Sequence, residues 1–205
     1  MSRPSSIHSL LSERPCSQPV LDYITHLSSF IQSDSPSNPE VKSYPDVVYY
    51  NYYALGLSFV FKPLDGYKPK MGLTRSDLTE DKLILDSLDL YNIPETSTPE
   101  NKPRSGPKKK AEIAFATHPV SPVTLTSTFE VARETTGKDF VHHFGEPDRK
   151  GGGSGPSSGS IGIWCEWTKC GILVEFGGVE AVGPQAWERG KDAVWKVITV
   201  FSPKE

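Results

Sequence analysis

The sequence predicts an α+β protein: an antiparallel β-sheet with helices packed on one face. Three observations carry that expectation. The stretch 136–147 (TGKDFVHHFGEP) has the makings of a short capped helix with a hard stop. A Gly/Ser-rich run over 150–160 leads into an aromatic strand, SIGIWCEW, ending at Trp167. An earlier run from Val47 to Phe61 is dense in Tyr, Val and Phe, the residue types that favour a pleated, half-buried surface.

Taken in order, residues 1–16 are rich in Ser, Pro and Arg and are expected to fray. Ser17 is a candidate N-cap for a helix with Pro19 in its first turn, where a missing N–H removes no bond. Val20, Ile24, Leu27 and Ile31 recur at helical spacing, and the prolines between 33 and 45 end the segment. Tyr53, Leu55, Leu57, Phe59 and Phe61 alternate with the smaller Ala54, Gly56 and Ser58, the period of a strand with one face buried. Leu83 to Ile93 predicts a further strand closed by Pro94. Residues 95–111 combine Pro, Ser, Thr and charge, including Lys102, Arg104, Lys108, Lys109 and Lys110, the composition of a disordered insertion.

In the second half, Thr136 and Asp139 form a capping-box pair with Asp in place of the usual Glu or Gln, Gly145 supplies the stop and Pro147 forbids continuation. Ile163, Cys165 and Trp167 should point to one side of a strand and Trp164 and Glu166 to the other. Residues 168–171 read as a hairpin turn into Ile172, Val174 and Phe176, and Ala193 to Phe201 as a last strand. The expected organisation is a disordered N-terminus (1–16), a first helix-plus-sheet unit (17–94), a disordered basic insertion (95–111) and a second unit (112–205), together one compact domain.

The two halves invite superposition. Laying 49–61 over 164–176 matches Tyr49 with Trp164, Tyr52 with Trp167, Gly56 with Gly171, Leu57 with Ile172 and Phe61 with Phe176. Two tandem helix-plus-three-strand units would follow. Any two aromatic hairpins sharing a turn glycine align about this well, so both readings stand at this point.

The order helix, Gly-Glu-Pro, loop, Trp-bearing strand and apolar strand resembles the BamE/SmpA-type outer-membrane assembly proteins. It is similar also to the tandem α+β repeats of β-lactamase-inhibitory proteins and to bacterial immunity proteins of this style. The residues carrying the likeness are Phe140, Val141, Phe144 to Pro147, Trp164 to Trp167 and Ile172 to Phe176. The resemblance implies an α+β fold whose relatives bind proteins instead of turning over substrates. The lipoprotein cysteine of the outer-membrane members has no counterpart, so that role is not implied.

Composition narrows the classes. The 205 residues carry a net charge of −3, which provides no global attraction to nucleic acid or membrane. Three cysteines without framework spacing, no apolar leader and no long apolar run lead us to expect reduced thiols and a cytoplasmic setting, with Lys108 to Lys110 as a possible nuclear-import signal. No cofactor and no metal is expected.

No pairing of side chains stands out as a catalytic centre. His142 and His143 with Glu146 have the right chemistry for acid–base work or a metal, but adjacent histidines on a helix diverge by about 100°. Cys165 alternates with Ile163 and Trp167, as a small buried hydrophobe would. The glycines of 151–159 follow a helix and enter a strand, the reverse of a phosphate loop. The favoured expectation is a non-enzymatic protein-binding, adaptor or inhibitor-like module. Its contacts would run through Tyr50, Tyr52, Trp164, Glu166, Arg149 and Lys150, on an aromatic sheet face and the 149–160 loop. The alternative is a small-ligand protein or enzyme with a cleft between the units, using His142, His143, Glu146 and Cys165. Self-association through a free strand edge is a third reading.

Overall fold

A computed structural model describes residues 7–31, 38–93, 115–119, 122–126, 128–153 and 162–204. The basic insertion and most of the Gly/Ser run lie outside the described residues. Eight strands form one antiparallel sheet: β1 (Glu40–Ser43), β2 (Val48–Tyr52), β3 (Leu57–Pro63), β4 (Leu83–Tyr91), β7 (Arg149–Gly151), β8 (Trp164–Trp167), β9 (Ile172–Phe176) and β10 (Trp195–Phe201). Their order across the sheet is β1-β2-β3-β4-β10-β9-β8-β7, so β4 and β10 meet at the centre. A separate hairpin pairs β5 (Val123–Thr126) with β6 (Phe129–Val131). The helices are α1 (Gln18–Ser28), α2 (Gly137–Phe144) and the single turn α3 (Ala186–Arg189).

The pleat sorts the side chains. Directly opposed residues in antiparallel strands share a face, and the row Tyr50, Phe59, Leu88, Val200, Ile172 and Trp167 crosses six strands on the core side. All six are buried, and Phe59, Leu88, Val200 and Ile172 expose no surface at all. Burying each such side chain is worth about 1.5–3 kcal/mol. Both longer helices pack on this face. Tyr23 of α1 lies 6.5 Å from Phe59, and Phe140 of α2 lies 6.1 Å from Trp167 and 5.9 Å from Phe176.

Helix α1 begins with proline in its first turn as expected, though the Ser17 hydroxyl makes no capping bond and is buried without a partner among the described residues. Helix α2 has both bonds of its capping box, the Asp139 N–H to the Thr136 side chain and the Thr136 N–H to Asp139 Oδ2 at 2.8 Å, and the Thr136 hydroxyl also donates to Oδ2 at 2.8 Å. Those bonds to Oδ2 hold the Asp139 carboxyl below its ordinary range. Gly145 follows with φ 78°, and the Trp167 indole N–H donates to its carbonyl at 2.9 Å, tying the end of α2 to the sheet.

Several elements differ from the sequence reading. Fraying was expected through residue 16, yet Ile7–Leu10 forms a 3-10 turn with Ile7 and Leu10 buried. Two backbone bonds then clamp the chain to β4, Ser12 N–H to the Leu85 carbonyl and Leu85 N–H to the Glu13 carbonyl, both 2.8 Å. The run 47–61 is two strands, as its alignment with the hairpin at 164–176 implies and not as its unbroken alternation does, because the chain turns at Tyr53–Leu55 and Gly56. Each side of the sheet holds four strands instead of three, since the short polar strands β1 and β7 form its edges. No described helix is long and apolar enough to cross a membrane.

Candidate functional site: an aromatic groove on the outer sheet face

The face of the sheet turned away from the core is polar along its middle. The row Glu40, Asn51, Ser58, Asp89, Thr199, Leu173, Glu166 and Arg149 crosses all eight strands. A sheet covered on one side normally carries its solvated residues here. Between its exposed ends, Glu40 and Arg149, the row sits deep: Asn51, Ser58 and Glu166 are buried, and Asp89 is half-buried.

Over the first half of that row runs an open groove of about 490 Å³. Asn51, Ser58 and Asp89 line it, with Lys42 and Val47 at its margin. One wall is Tyr44 against Tyr49, edge to face at 6.2 Å. The other is Tyr53, Tyr91 and Phe115: the Phe115 ring stacks on Tyr91 at 3.9 Å, nearly parallel, and lies 4.6 Å from Tyr53. Backbone bonds set this second wall. The Ala116 N–H donates to the Tyr53 carbonyl and the His118 N–H to the Tyr91 carbonyl, each at 2.8 Å. Gly56 makes the approach possible, because a Cβ there would stand 2.3 Å from the Ala116 carbonyl oxygen.

The floor is partly bonded. The Ser58 hydroxyl donates to Asn51 Oδ1 at 2.8 Å, and the Thr199 hydroxyl to Asp89 Oδ1 at 2.7 Å. Burial, helped by the like charge of Glu175 and opposed by the Thr199 bond, pushes the Asp89 carboxyl up to about 6. Burial, with Asp89 nearby, also raises Tyr49. At the rim Lys42 Nζ donates to the Tyr53 hydroxyl at 3.4 Å and lies 3.8 Å from Glu40, contacts that raise the ammonium above its ordinary value.

The sequence-chosen contact residues distribute differently. Tyr50 and Tyr52 face the core, 1% and 3% exposed, which corrects the outward placement expected of them. The parity of β2 is set by Val48, so its aromatic neighbours at 50 and 52 go inward and Tyr49 and Asn51 outward. The tip of Tyr50 meets a polar pair: its hydroxyl donates to Glu80 Oε1 at 2.7 Å, and Arg75 bonds the same oxygen at 2.7 Å. Trp164, Glu166 and Arg149 do share the outer face. Trp164 lies in the row Gly151, Trp164, Glu175, Val197 and Tyr91, on the far side of the central seam from Tyr91. Glu166 is buried, 3.3 Å from Arg149. Lys150, opposite Cys165 and so on the other face, lies 5.7 Å from the Trp187 ring centre and 3.9 Å from Glu146.

The residues of the enzyme alternative do not gather. Cys165 is buried in the core, its thiol pushed up to about 11 by burial. His142 and His143 are exposed on α2, and His143 stacks on Phe129 at 4.4 Å. Among the described residues no three His, Cys, Asp or Glu side chains are grouped to hold a metal ion. The groove residues went unselected because Tyr49, Asn51, Ser58 and Asp89 come from three strands. Their outward parity was available once Val48 and Leu88 were assigned to the core.

No protein-family model matches this chain, and neither curated proteins nor solved structures yield a match. The likeness to tandem-repeat binding proteins therefore remains one of element order, and the function has to be argued from the groove.

Proposed function

We propose that this protein is a non-enzymatic binding module and that its outer sheet face, centred on the groove of β1 to β4, accepts a segment of a partner protein. The observation carrying this reading is the convergence of Tyr44, Tyr49, Tyr53, Tyr91 and Phe115 on one open trough away from the core. Tyrosines contribute large, rigid contact area at small entropic cost, which is why they concentrate at interfaces. The trough contains one carboxylate and, among its lining residues, no histidine or thiol. That composition favours holding a partner over transforming one. The three unpaired cysteines fit a reducing, intracellular setting.

We also infer that the halves derive from a duplicated unit. Gly56 and Gly171 both close three-residue 3-10 turns in the left-handed conformation, at φ 55° and φ 66°. Tyr91 N–H donates to the Gly56 carbonyl at 3.0 Å and Phe201 N–H to the Gly171 carbonyl at 2.9 Å. In this reading Tyr49, Asn51 and Ser58 correspond to Trp164, Glu166 and Leu173, so only the first half has kept or gained the groove chemistry.

The test is selection from a displayed library of random peptides, using the folded protein and its Tyr49→Ala, Tyr53→Ala double variant. Enrichment of a sequence motif by the wild type and its loss in the variant supports the reading. Equal enrichment by both moves the contact surface off the groove, and no enrichment by either removes the peptide-binding reading.

A further inference from the structure

We propose that the groove receives a lysine side chain of the partner, its ammonium against Asp89 and its stem between the tyrosine walls. This deepens the binding reading above and rests on it. The floor of the groove has a donor and an acceptor left over. Asp89 Oδ1 takes the Thr199 hydroxyl, while Oδ2 accepts nothing from any described residue. Asn51, only 7% exposed, spends its carbonyl oxygen on Ser58, and its Nδ2 donates to no described residue. Since Ser17 Oγ is the one fully enclosed side-chain atom without a partner among the described residues, Asn51 Nδ2 and Asp89 Oδ2 both reach the open space of the groove.

A half-buried carboxylate is ordinarily matched by a cation, and here none of the described lysines or arginines forms an ion pair with it. The charged neighbour it does feel, Glu175, has the same sign. Lys42, the cation at the rim, is engaged by Tyr53 and Glu40. A cation arriving from outside would therefore supply what the site lacks. The walls suit it, because ammonium groups are attracted to aromatic faces and lysine stems lie well against apolar surface.

Lysine fits better than arginine on geometry. A guanidinium makes its strongest contact with both oxygens of a carboxylate, and Thr199 already holds one of these. An ammonium is a point charge that one oxygen can serve. A side chain within a polypeptide fits better than a free amine, because the space is an open trough across strands instead of a closed chamber. Asn51 Nδ2 then stands ready to donate to a carbonyl of the same segment.

The experiment is an amide-resolved NMR titration of the whole protein with two blocked tripeptides, acetyl-Ser-Lys-Ser-amide and its uncharged norleucine counterpart. The lysine probe is expected to move the signals of residues 49–53, 58 and 89–91 saturably, with at least about tenfold higher affinity than the norleucine probe. Asp89→Asn, which keeps shape and the Thr199 contact, should erase that difference. Equal affinity of the two probes in the wild type overturns the lysine assignment while leaving the groove as a binding surface. Shifts from neither probe in the groove, up to about 10 mM, overturn the lysine assignment outright, and the peptide selection then decides whether the wider reading survives. Tyr49→Ala serves as the control that should weaken both probes.

Discussion

Asp89 and Thr199 face each other across the β4–β10 seam, the threonine hydroxyl donating to the carboxylate at 2.7 Å in the middle of an eight-stranded sheet. Asp89 lies opposite Ser58 of β3, and Thr199 opposite Leu173 of β9. The one bond therefore joins the two halves on the outer face and sets which carboxylate oxygen remains available to the groove.

That carboxylate should cost stability at neutral pH. Its folded value, about 6, lies above the ordinary carboxylate range. The folded state thus binds the proton more tightly than the unfolded chain, and stability falls as pH rises from about 4 through about 6. The full effect would be up to about 2–3 kcal/mol, and solvent in the open groove reduces it to about 1–2 kcal/mol. Asp89→Asn should accordingly stabilise the protein by that amount at pH 7.5 and by almost nothing at pH 4.5. Urea unfolding at the two pH values measures the difference. An equal effect at both would mean that the charge is not what matters.

The two turn glycines should be among the least replaceable residues. Gly56 and Gly171 combine left-handed backbone with a close approach, a Cβ falling 2.3 Å from the Ala116 carbonyl oxygen in one case and 2.1 Å from the Phe201 carbonyl oxygen in the other. Alanine at either is expected to cost roughly 2–4 kcal/mol. Alanine at Gly66, also at positive φ but with nothing within 4 Å, should cost about 1 kcal/mol. Chemical denaturation of the three variants separates strain from overlap.

Thiol reactivity should rank by burial. Cys16 is exposed, Cys170 half-buried and Cys165 buried with its thiol pushed up to about 11. Burial together with Asp148 also raises Cys170. Timed alkylation read by intact mass should give one fast adduct at Cys16, a slow second at Cys170, and a third only on unfolding. Rapid labelling of Cys165 in the folded protein would contradict its place in the core.

The capping box offers a local test of α2. Thr136→Ala removes a hydroxyl that bonds Asp139 and is expected to cost about 1 kcal/mol. Trp167→Ala should cost more, about 3–5 kcal/mol, since the indole stacks on Phe140 and donates to the Gly145 carbonyl. Thermal unfolding of both variants gives the ordering.

Much of this architecture is legible in the residues themselves. Pro19, Thr136 with Asp139, and the alternation of Ile163, Cys165 and Trp167 mark their elements because each rests on local backbone chemistry. The edge strands β1 and β7 escaped notice because Glu-Val-Lys-Ser and Arg-Lys-Gly have no apolar alternation to read. The inward turn of Tyr50 and Tyr52 escaped because a single step of parity decides it, and the run 47–61 conceals where the first strand ends. The groove was the hardest feature to foresee. Its walls come from the β1–β2 connection, β2, the turn after it, β4 and the 115–119 segment, and only the sheet order brings them together.

The claim that the groove is the contact surface is tested most directly by the affinity of one selected peptide for the wild type, Tyr49→Ala and Trp164→Ala. The expected result is at least about a tenfold loss with Tyr49→Ala and little change with Trp164→Ala, both variants remaining folded. A loss confined to Trp164→Ala would contradict the account and place the contact on the other half of the sheet.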